Sequence, residues 1–339
     1  MSNRMTTTSR NTPWYSTICS RMLIASVALA AINPAISPGR TPHPGTAFAT
    51  PPGNDTPATT LPSPSARAAT PKEVPGKPPL DSRLRTLVKS KIALVVDAKT
   101  SEDLFVRDAD RIVPIASITK LMTAMVVLDA KPPLGEMLKI SEDDRDLVML
   151  TSSRLRVGWE LSREDMLHLA LMSSENRAAA ALSRYFPGGR PAFIKAMNAK
   201  AAELGMTHTH FVNPNGLTNE NVSTAFDLAK LVRAANQYPL IREFSTDPHY
   251  DVKIGRYVLP FFNSDRLVGR PDWDIEVQKT GFTNAAGRCL VLWVNAEGRS
   301  LIMVFLDAYG KLTRFADARR VVMQLAVAEK HAGVTRTNP

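Results

Sequence analysis

Ser117 and Lys120 stand three residues apart in Ser117-Ile118-Thr119-Lys120, which puts a hydroxyl and an amine on the same face of a helix. Serine is a weak nucleophile at neutral pH and needs a base within hydrogen-bond reach. A lysine can be that base only when neutral, so its ordinary pKa of roughly 10.4 must fall. Burial and a second cation nearby both lower it. Alone the pattern is weak: S-x-x-K arises by chance about once in a chain of this length, and serine is a common helix cap. Ser174-Glu175-Asn176 offers a hydroxyl and an amide that can project together from a turn, relay a proton and hold a substrate amide. An ordinary turn has the same composition. Lys279-Thr280-Gly281 says more, since chance supplies K-T-G in only ~0.05 of such chains. Trp273, Ile275 and Val277 share the apolar parity of a predicted strand and Lys279 continues it. Such a lysine either snorkels at a strand end or serves a site. Thr280 adds a hydroxyl, and Gly281 lets a ligand backbone come close, as if adding a strand to an edge.

The elements around these residues are readable. Lys91–Asp97 is a short apolar run bounded by turn formers, hence a strand, and Leu104–Val106 returns after it as a hairpin. A helix follows from about Ser117 to Leu128, apolar on nearly every face and so predicted to be buried at the domain centre. Ser162-Arg163-Glu164-Asp165 resembles a capping box that opens a helix through Met172. Asn176–Tyr185, Arg190–Leu204 and Ser223–Gln237 read as further helices, punctuated by Gly188-Gly189 and Gly205. Strands return at Asp274–Lys279, Arg288–Val294 and Ser300–Leu306, and an amphipathic helix spans Leu312–Val327. The order predicts an α/β (α+β) domain over 83–332: an antiparallel sheet flanked by helices and closed by both chain ends, with a helical subdomain at about 131–240.

The three motifs occur in order and well separated, which is the S-x-x-K, S-x-N, K-T-G signature of penicillin-binding proteins and serine β-lactamases. The resemblance extends beyond them. Pro114–Met125, Leu169–Ala180, Leu204–Thr207 with Phe211–Leu217, and Lys279–Gly287 all resemble the low-molecular-mass D-alanyl-D-alanine peptidases. Phe282 after K-T-G, and an ending shortly after one domain, resemble the penicillin-binding protein 7/8 branch, the D-alanyl-D-alanine endopeptidases. The match runs from roughly Leu87 to Gln324.

The resemblance implies a β-lactamase/transpeptidase-like fold and a role for each motif residue. Ser117 would attack the D-alanyl carbonyl and form an acyl-enzyme, with Lys120 accepting its proton. Ser174 with Asn176 would pass the proton to the leaving amine and position the substrate. Lys279 would keep the region electropositive and Lys120 neutral, Thr280 would bind a substrate carboxylate, and Gly281 would admit the substrate backbone. The backbone amides of Ser117 and Phe282 would form the oxyanion hole. No metal or cofactor is called for. The implied partners are peptidoglycan stem peptides, with β-lactams as covalent inhibitors. A carboxypeptidase trimming terminal D-alanine is the alternative, although the C-terminal domain and amphipathic anchor of that branch are not expected where so little chain follows Val327. A class A β-lactamase needs a glutamate to activate the deacylating water. Thr207–Leu217 contains none, and Glu220 lies beyond it, so slow deacylation of penicillins is expected. A non-catalytic penicillin sensor would need a signalling domain. His208-Thr209-His210 lacks a nearby third histidine, so a metal reading is weak.

Composition and charge frame these motifs. The 339 residues are 44% hydrophobic and 22% charged, enough for a sizeable core, but 13 of the 25 prolines fall between Pro34 and Pro79. That stretch has too few large apolar residues to offset its ordering entropy and reads as a linker over 37–82. Residues 1–80 hold seven Lys/Arg and two Asp/Glu, half of the net +10, and the remainder intersperses both signs. No basic cluster interleaved with aromatics marks a nucleic-acid reader. Arg4, Arg10 and Arg21 precede an apolar run from Met22 to Ile36 broken by Asn33 and Pro34, the pattern of a secretory signal over 1–36. It falls short of the ~20 apolar residues that span a bilayer comfortably. Ala28-Leu29-Ala30 and Ala47-Phe48-Ala49 both fit the small-residue cleavage rule, and an uncleaved anchor is the other outcome. A periplasmic protein is expected, with weak membrane or cell-wall-complex association. Cys289 lies in an apolar run and reads as a buried core thiol.

Overall fold

Every residue of Ile92–Asp97 is buried, and the side chains divide by parity. Ile92, Leu94 and Val96 enter one apolar cluster, Ala93 and Val95 another. A strand apolar on both parities is covered on both faces, and this one lies inside a five-stranded antiparallel sheet. The computed structural model describes residues 80–334. The segment read as a signal and most of the stretch read as a linker lie outside the described residues.

Helix α1 (Leu80–Leu87) opens the described chain, followed by β1 (Ile92–Asp97), β2 (Asp103–Arg107) and the short β3 (Val113–Pro114). A 3-10 turn (Ala116–Ile118) then leads into α2 (Thr119–Asp129), which is buried from Thr119 to Val127 because it runs through the middle of the domain. The pair β4 (Met137–Lys139) and β5 (Glu160–Ser162) precedes α3 (Arg163–Met172), α4 (Asn176–Arg184) and α5 (Gly189–Glu203). The predicted cap of α3 is present, with Ser162 Oγ accepting from the Asp165 amide at 3.0 Å. After β6 (Val222–Ser223), which pairs with β3, come α6 (Ala225–Ala235) and α7 (Pro239–Thr246). The hairpin β7 (His249–Ile254) and β8 (Tyr257–Phe262) follows. The chain closes with β9 (Asp274–Thr283), β10 (Gly287–Ala296), β11 (Arg299–Ala308) and α8 (Thr313–Val334).

The main sheet has the order β2-β1-β11-β10-β9, so the first and last strands of the domain meet at its centre and β9 is left as an edge. One face packs Phe315, Ala318, Val321 and Leu325 of α8 with Leu84 and Val88 from the α1 end. The other packs against α2, α6 and the remaining helices. Cys289 is fully buried there, as the apolar run suggests. The domain has the predicted order of strands, helices, strands and helix, with α1, the short β3–β6 and β4–β5 pairs, α7 and the β7–β8 hairpin added to it.

The sequence misleads at one point on β9. Trp293 pairs with Val277 and Val294 with Ile275, so Glu276 is an extra residue in the strand. Such a bulge reverses the side-chain parity. Val277 therefore packs on the α2 side, while Ile275 and Trp273 pack on the α8 side. Lys279 shares parity with Val277 alone, and it sits within the strand rather than at its end.

Candidate active site

Ser117 is not a helix cap. It occupies the 3-10 turn ahead of α2, whose N-cap Ile118 makes no side-chain capping bond. Thr119 Oγ1 closes the turn on the Ala116 carbonyl at 2.8 Å. Ala116 is held in the left-handed region at φ 48°, a conformation that costs about 1–3 kcal/mol and persists only where the surroundings impose it. Here they do: the Asn213–Leu217 loop presses so closely that a Cβ on Gly216 would lie 2.0 Å from the Ala116 carbonyl oxygen.

Lys120, one turn along α2, is fully buried. Its amine lies 2.8 Å from Ser117 Oγ, 2.8 Å from Asn176 Oδ1 and 2.7 Å from the Asn215 carbonyl oxygen. Burial pushes its pKa well below the ordinary 10.5, the nearby Lys279 pushes the same way, and Glu175 opposes both. The neutral amine has two N–H donors and one lone pair. Asn176 Oδ1 and the Asn215 carbonyl can only accept, so they take the two N–H groups. The Ser117 hydroxyl, the one contact with a proton to give, is left facing the lone pair. Such an arrangement could pass the serine proton to the lysine, although the hydroxyl also lies 3.4 Å from the Asn215 carbonyl oxygen.

The Ser174–Asn176 turn joins α3 to α4, and Ser174 is again a non-glycine residue in the left-handed region, at φ 62°. Glu175 caps α4, accepting from the Arg177 amide at 3.1 Å and from Ser153 Oγ at 2.6 Å. That geometry turns Asn176 inward to Lys120 and leaves the half-buried Ser174 hydroxyl without an intramolecular hydrogen bond among the described residues.

Edge strand β9 forms the opposite wall. Lys279 is fully buried, and its amine donates to the Thr280 carbonyl at 3.0 Å. Burial pushes its pKa down to about 7, helped by Arg314 and opposed by Asp265. Thr280 Oγ1 donates to Ser264 Oγ at 2.7 Å. Gly281 meets the nucleophile's own turn: a Cβ there would lie 3.1–3.2 Å from the Ile115 carbonyl, Ala116 Cβ and the Ser117 nitrogen. Only glycine lets β9 approach so closely, and the approach brings Gly281 beside the Ser117 amide. The Phe282 ring is half-exposed with the Arg288 guanidinium 4.3 Å from its centroid. A cleft of about 810 Å³ opens beside Asn215, with Asp146, Leu147, Arg184, Arg190 and Asn213 in its walls.

The fold thus brings the three motifs together from α2, the α3–α4 turn and β9. Several residues that complete the site carry no motif. The Asn215 carbonyl has no residue-type signature, although the Asn-Pro-Asn-Gly turn around it does. Asn221, fully buried, ties that turn down: Oδ1 accepts from the Val212 and Asn213 amides at 2.8 and 3.2 Å, and Nδ2 donates to Thr119 Oγ1 at 3.0 Å. Asp265, whose carboxyl burial raises to about 6, and the nearly buried Arg314 flank Lys279. Glu220 is exposed, and its amide donates to Thr218 Oγ1. His208 and His210 belong to the neighbouring segment, where the His208 amide donates to Asp227 and His210 bridges to Val222. Among the described residues no three His, Cys, Asp or Glu are grouped to hold a metal ion.

Residues 81–310 match the family described as D-alanyl-D-alanine carboxypeptidase. The chain is 52% identical to the D-alanyl-D-alanine endopeptidase of Pseudomonas aeruginosa over 231 residues, 68% of this chain and 74% of that protein. It is 51% identical to the D-alanyl-D-alanine endopeptidase of Escherichia coli over 236 residues, 69% and 76% of the two chains. Its structure superposes on penicillin-binding protein D2 of Listeria monocytogenes in the cefotaxime-bound form with a TM-score of 0.63 at 29% identity, covering 70% of this chain and 97% of that one.

Proposed function

Because the chain belongs to the D-alanyl-D-alanine carboxypeptidase family of serine peptidases, we propose that it is a D-alanyl-D-alanine endopeptidase that hydrolyses peptidoglycan cross-links through an acyl-enzyme on Ser117. The observation that carries this reading is the buried Lys120 amine, 2.8 Å from the Ser117 hydroxyl and with acceptors alone at its other two bonds. Ser117 Oγ attacks the D-alanyl carbonyl carbon as its proton passes to Lys120 Nζ. The resulting oxyanion is held by the Ser117 and Phe282 amides. The C–N bond then breaks, and the leaving amine takes a proton relayed through Ser174, with Asn176 positioning the substrate amide. Water adds to the ester, the acid departs, and Ser117 regains its proton. Lys279 supplies positive potential, Thr280 binds a substrate carboxylate, and Gly281 admits the substrate backbone.

The name carried by both half-identical relatives favours the endopeptidase. The family description favours a second reading, removal of terminal D-alanine. Penicillins would acylate Ser117 by the same steps and leave slowly, since Thr207–Leu217 holds no glutamate to activate water. The site of action in this reading is the periplasm, reached through the segment 1–36, with weak association with membrane or cell-wall complexes. Among the described residues no helix is long and apolar enough to cross a membrane. Cell fractionation with sequencing of the mature N-terminus tests the location.

Mass spectrometry of wild type and Ser117→Ala, given penicillin and then cross-linked muropeptide dimers, tests the activity. The expected result is a penicilloyl mass on Ser117 and conversion of dimers to monomers, both lost in the variant. Acylation with loss of terminal D-alanine from intact dimers selects the carboxypeptidase. No acylation of wild type overturns both.

A further inference from the structure

Asn176 serves Lys120 only with its amide one way round, Oδ1 toward the amine and Nδ2 away. What holds it so lies outside all three motifs. Asn176 Nδ2 donates to Thr151 Oγ1 at 3.1 Å. Thr151 is bonded in turn to Asp146, whose Oδ2 accepts from the Thr151 amide at 2.8 Å. Asp146 Oδ1 also accepts from the Val148 and Met149 amides at 3.0 and 2.9 Å. Burial alone would raise the Asp146 pKa, but these bonds outweigh it and hold the carboxyl below its ordinary range. An ionised carboxylate only accepts. Asp146 thereby holds the Thr151 backbone in place, with the hydroxyl oxygen set to receive Asn176 Nδ2.

The turn has little else to hold it. Leu147, Val148 and Leu150 are 73%, 79% and 78% exposed, so no apolar packing fixes their positions, and Leu150 stands in the left-handed region at φ 53°. Beyond it the segment is fastened to the α3–α4 connection in step: Thr151 to Asn176, Ser153 to Glu175, and the Leu155 carbonyl to Arg177. We infer that Thr151, oriented by Asp146, is a positioning residue that fixes the Asn176 amide with Oδ1 toward Lys120. The inference rests on the acyl-enzyme reading of Ser117.

The test is the pH dependence of acylation by a fluorescent penicillin, on the full chain. Charged groups acting on Lys120 are Lys279 from β9 and Glu175 from the α4 cap, and both are kept. In Thr151→Val the amide is free to turn and Lys120 loses an acceptor. The charged amine loses more than the neutral one, because hydrogen bonds to an ion are the stronger. The expected result is acylation slowed about 10- to 100-fold, with the acid limb of the profile moved to lower pH. Thr151→Ser, which keeps the oxygen, should restore both rate and limb. Asp146→Asn, which weakens the hold on the Val148, Met149 and Thr151 amides, should move both the same way to a smaller extent, and it serves if Thr151→Val does not fold. A Thr151→Val profile equal to wild type overturns the inference. So does a limb moved to higher pH, the mark of a loosened site in which water reaches Lys120. Failure of wild type to acylate overturns the underlying reading instead.

Discussion

Lys120 and Lys279 are both fully buried, and among the described residues neither amine is hydrogen-bonded to a carboxylate. One comes from the central helix α2 and the other from edge strand β9, and each is held well below its ordinary pKa chiefly by burial. Two uncompensated buried amines are costly to fold. In the proposed mechanism their shared place beside Ser117 accounts for the cost, since only a neutral Lys120 could take the Ser117 proton.

The first prediction concerns how this pair titrates. Lys279 lowers the pKa of Lys120, so Lys279→Ala should let it rise and move the acid limb of penicillin acylation to higher pH. Below about pH 7, where Lys279 is charged, the rate should also fall by about 10²–10³-fold with the lost positive potential. Stability carries the same signature with a definite sign. Between about 7, the folded value, and the ordinary 10.5, the unfolded chain binds the Lys279 proton and the folded chain does not. Stability therefore rises with pH through that window and does not change on this account below it. The urea midpoint should climb more steeply with pH in wild type than in Lys279→Met.

A second prediction grades two glycines. Gly281→Ala places a Cβ 3.1–3.2 Å from the Ile115–Ser117 turn, which can be relieved by β9 moving a few tenths of an ångström. Acylation should slow by about 10²-fold, the order that misplacement of reacting groups commonly costs, while the melting temperature changes little. Gly216→Ala puts its Cβ 2.0 Å from the Ala116 carbonyl oxygen at φ 82°, and backbone cannot yield so far. That variant should lose both acylation and several kcal/mol of stability, roughly 3 or more. Thermal melts and acylation rates on the same preparations separate the two cases.

The third prediction addresses Asn221. Asn221→Leu removes the acceptor for two backbone amides and the donor to Thr119 Oγ1 in a fully buried place. Buried groups left unpaired cost about 1–3 kcal/mol each, so denaturant melts should show a loss of roughly 2–5 kcal/mol. The Asn215 carbonyl rides on the same loop and fixes one donor of Lys120. Acylation should therefore fall even at temperatures where the variant is fully folded, whereas a purely structural role would leave it unchanged there.

Much of the molecule was legible before folding was considered. The hydroxyl and amine of Ser117-Ile118-Thr119-Lys120, the apolar run of β1 and the serine cap of α3 declare themselves through side-chain type and spacing, which are local properties. The motifs identified Ser117, Lys120, Ser174, Asn176 and Lys279–Phe282 as a set. Periodicity failed at Glu276, because a bulge depends on the partner strand and leaves no mark in its own. β7 was legible too, though it is not among the predicted strands: Tyr250, Val252 and Ile254 face the core in regular alternation with the exposed His249, Asp251 and Lys253.

Tertiary structure alone decided the electrostatics. The pKa of Lys120 depends on dryness and on Lys279, which lies 159 residues away in sequence. Its donors are directed by the carbonyl of Asn215, a backbone group that every residue type carries. Thr151 and Asp146 sit in a turn whose composition resembles any other. The residues that react were set by their own chemistry, which a sequence records. Whether they can react depends on which groups exclude water and accept their protons, and those groups are assembled only when distant segments pack.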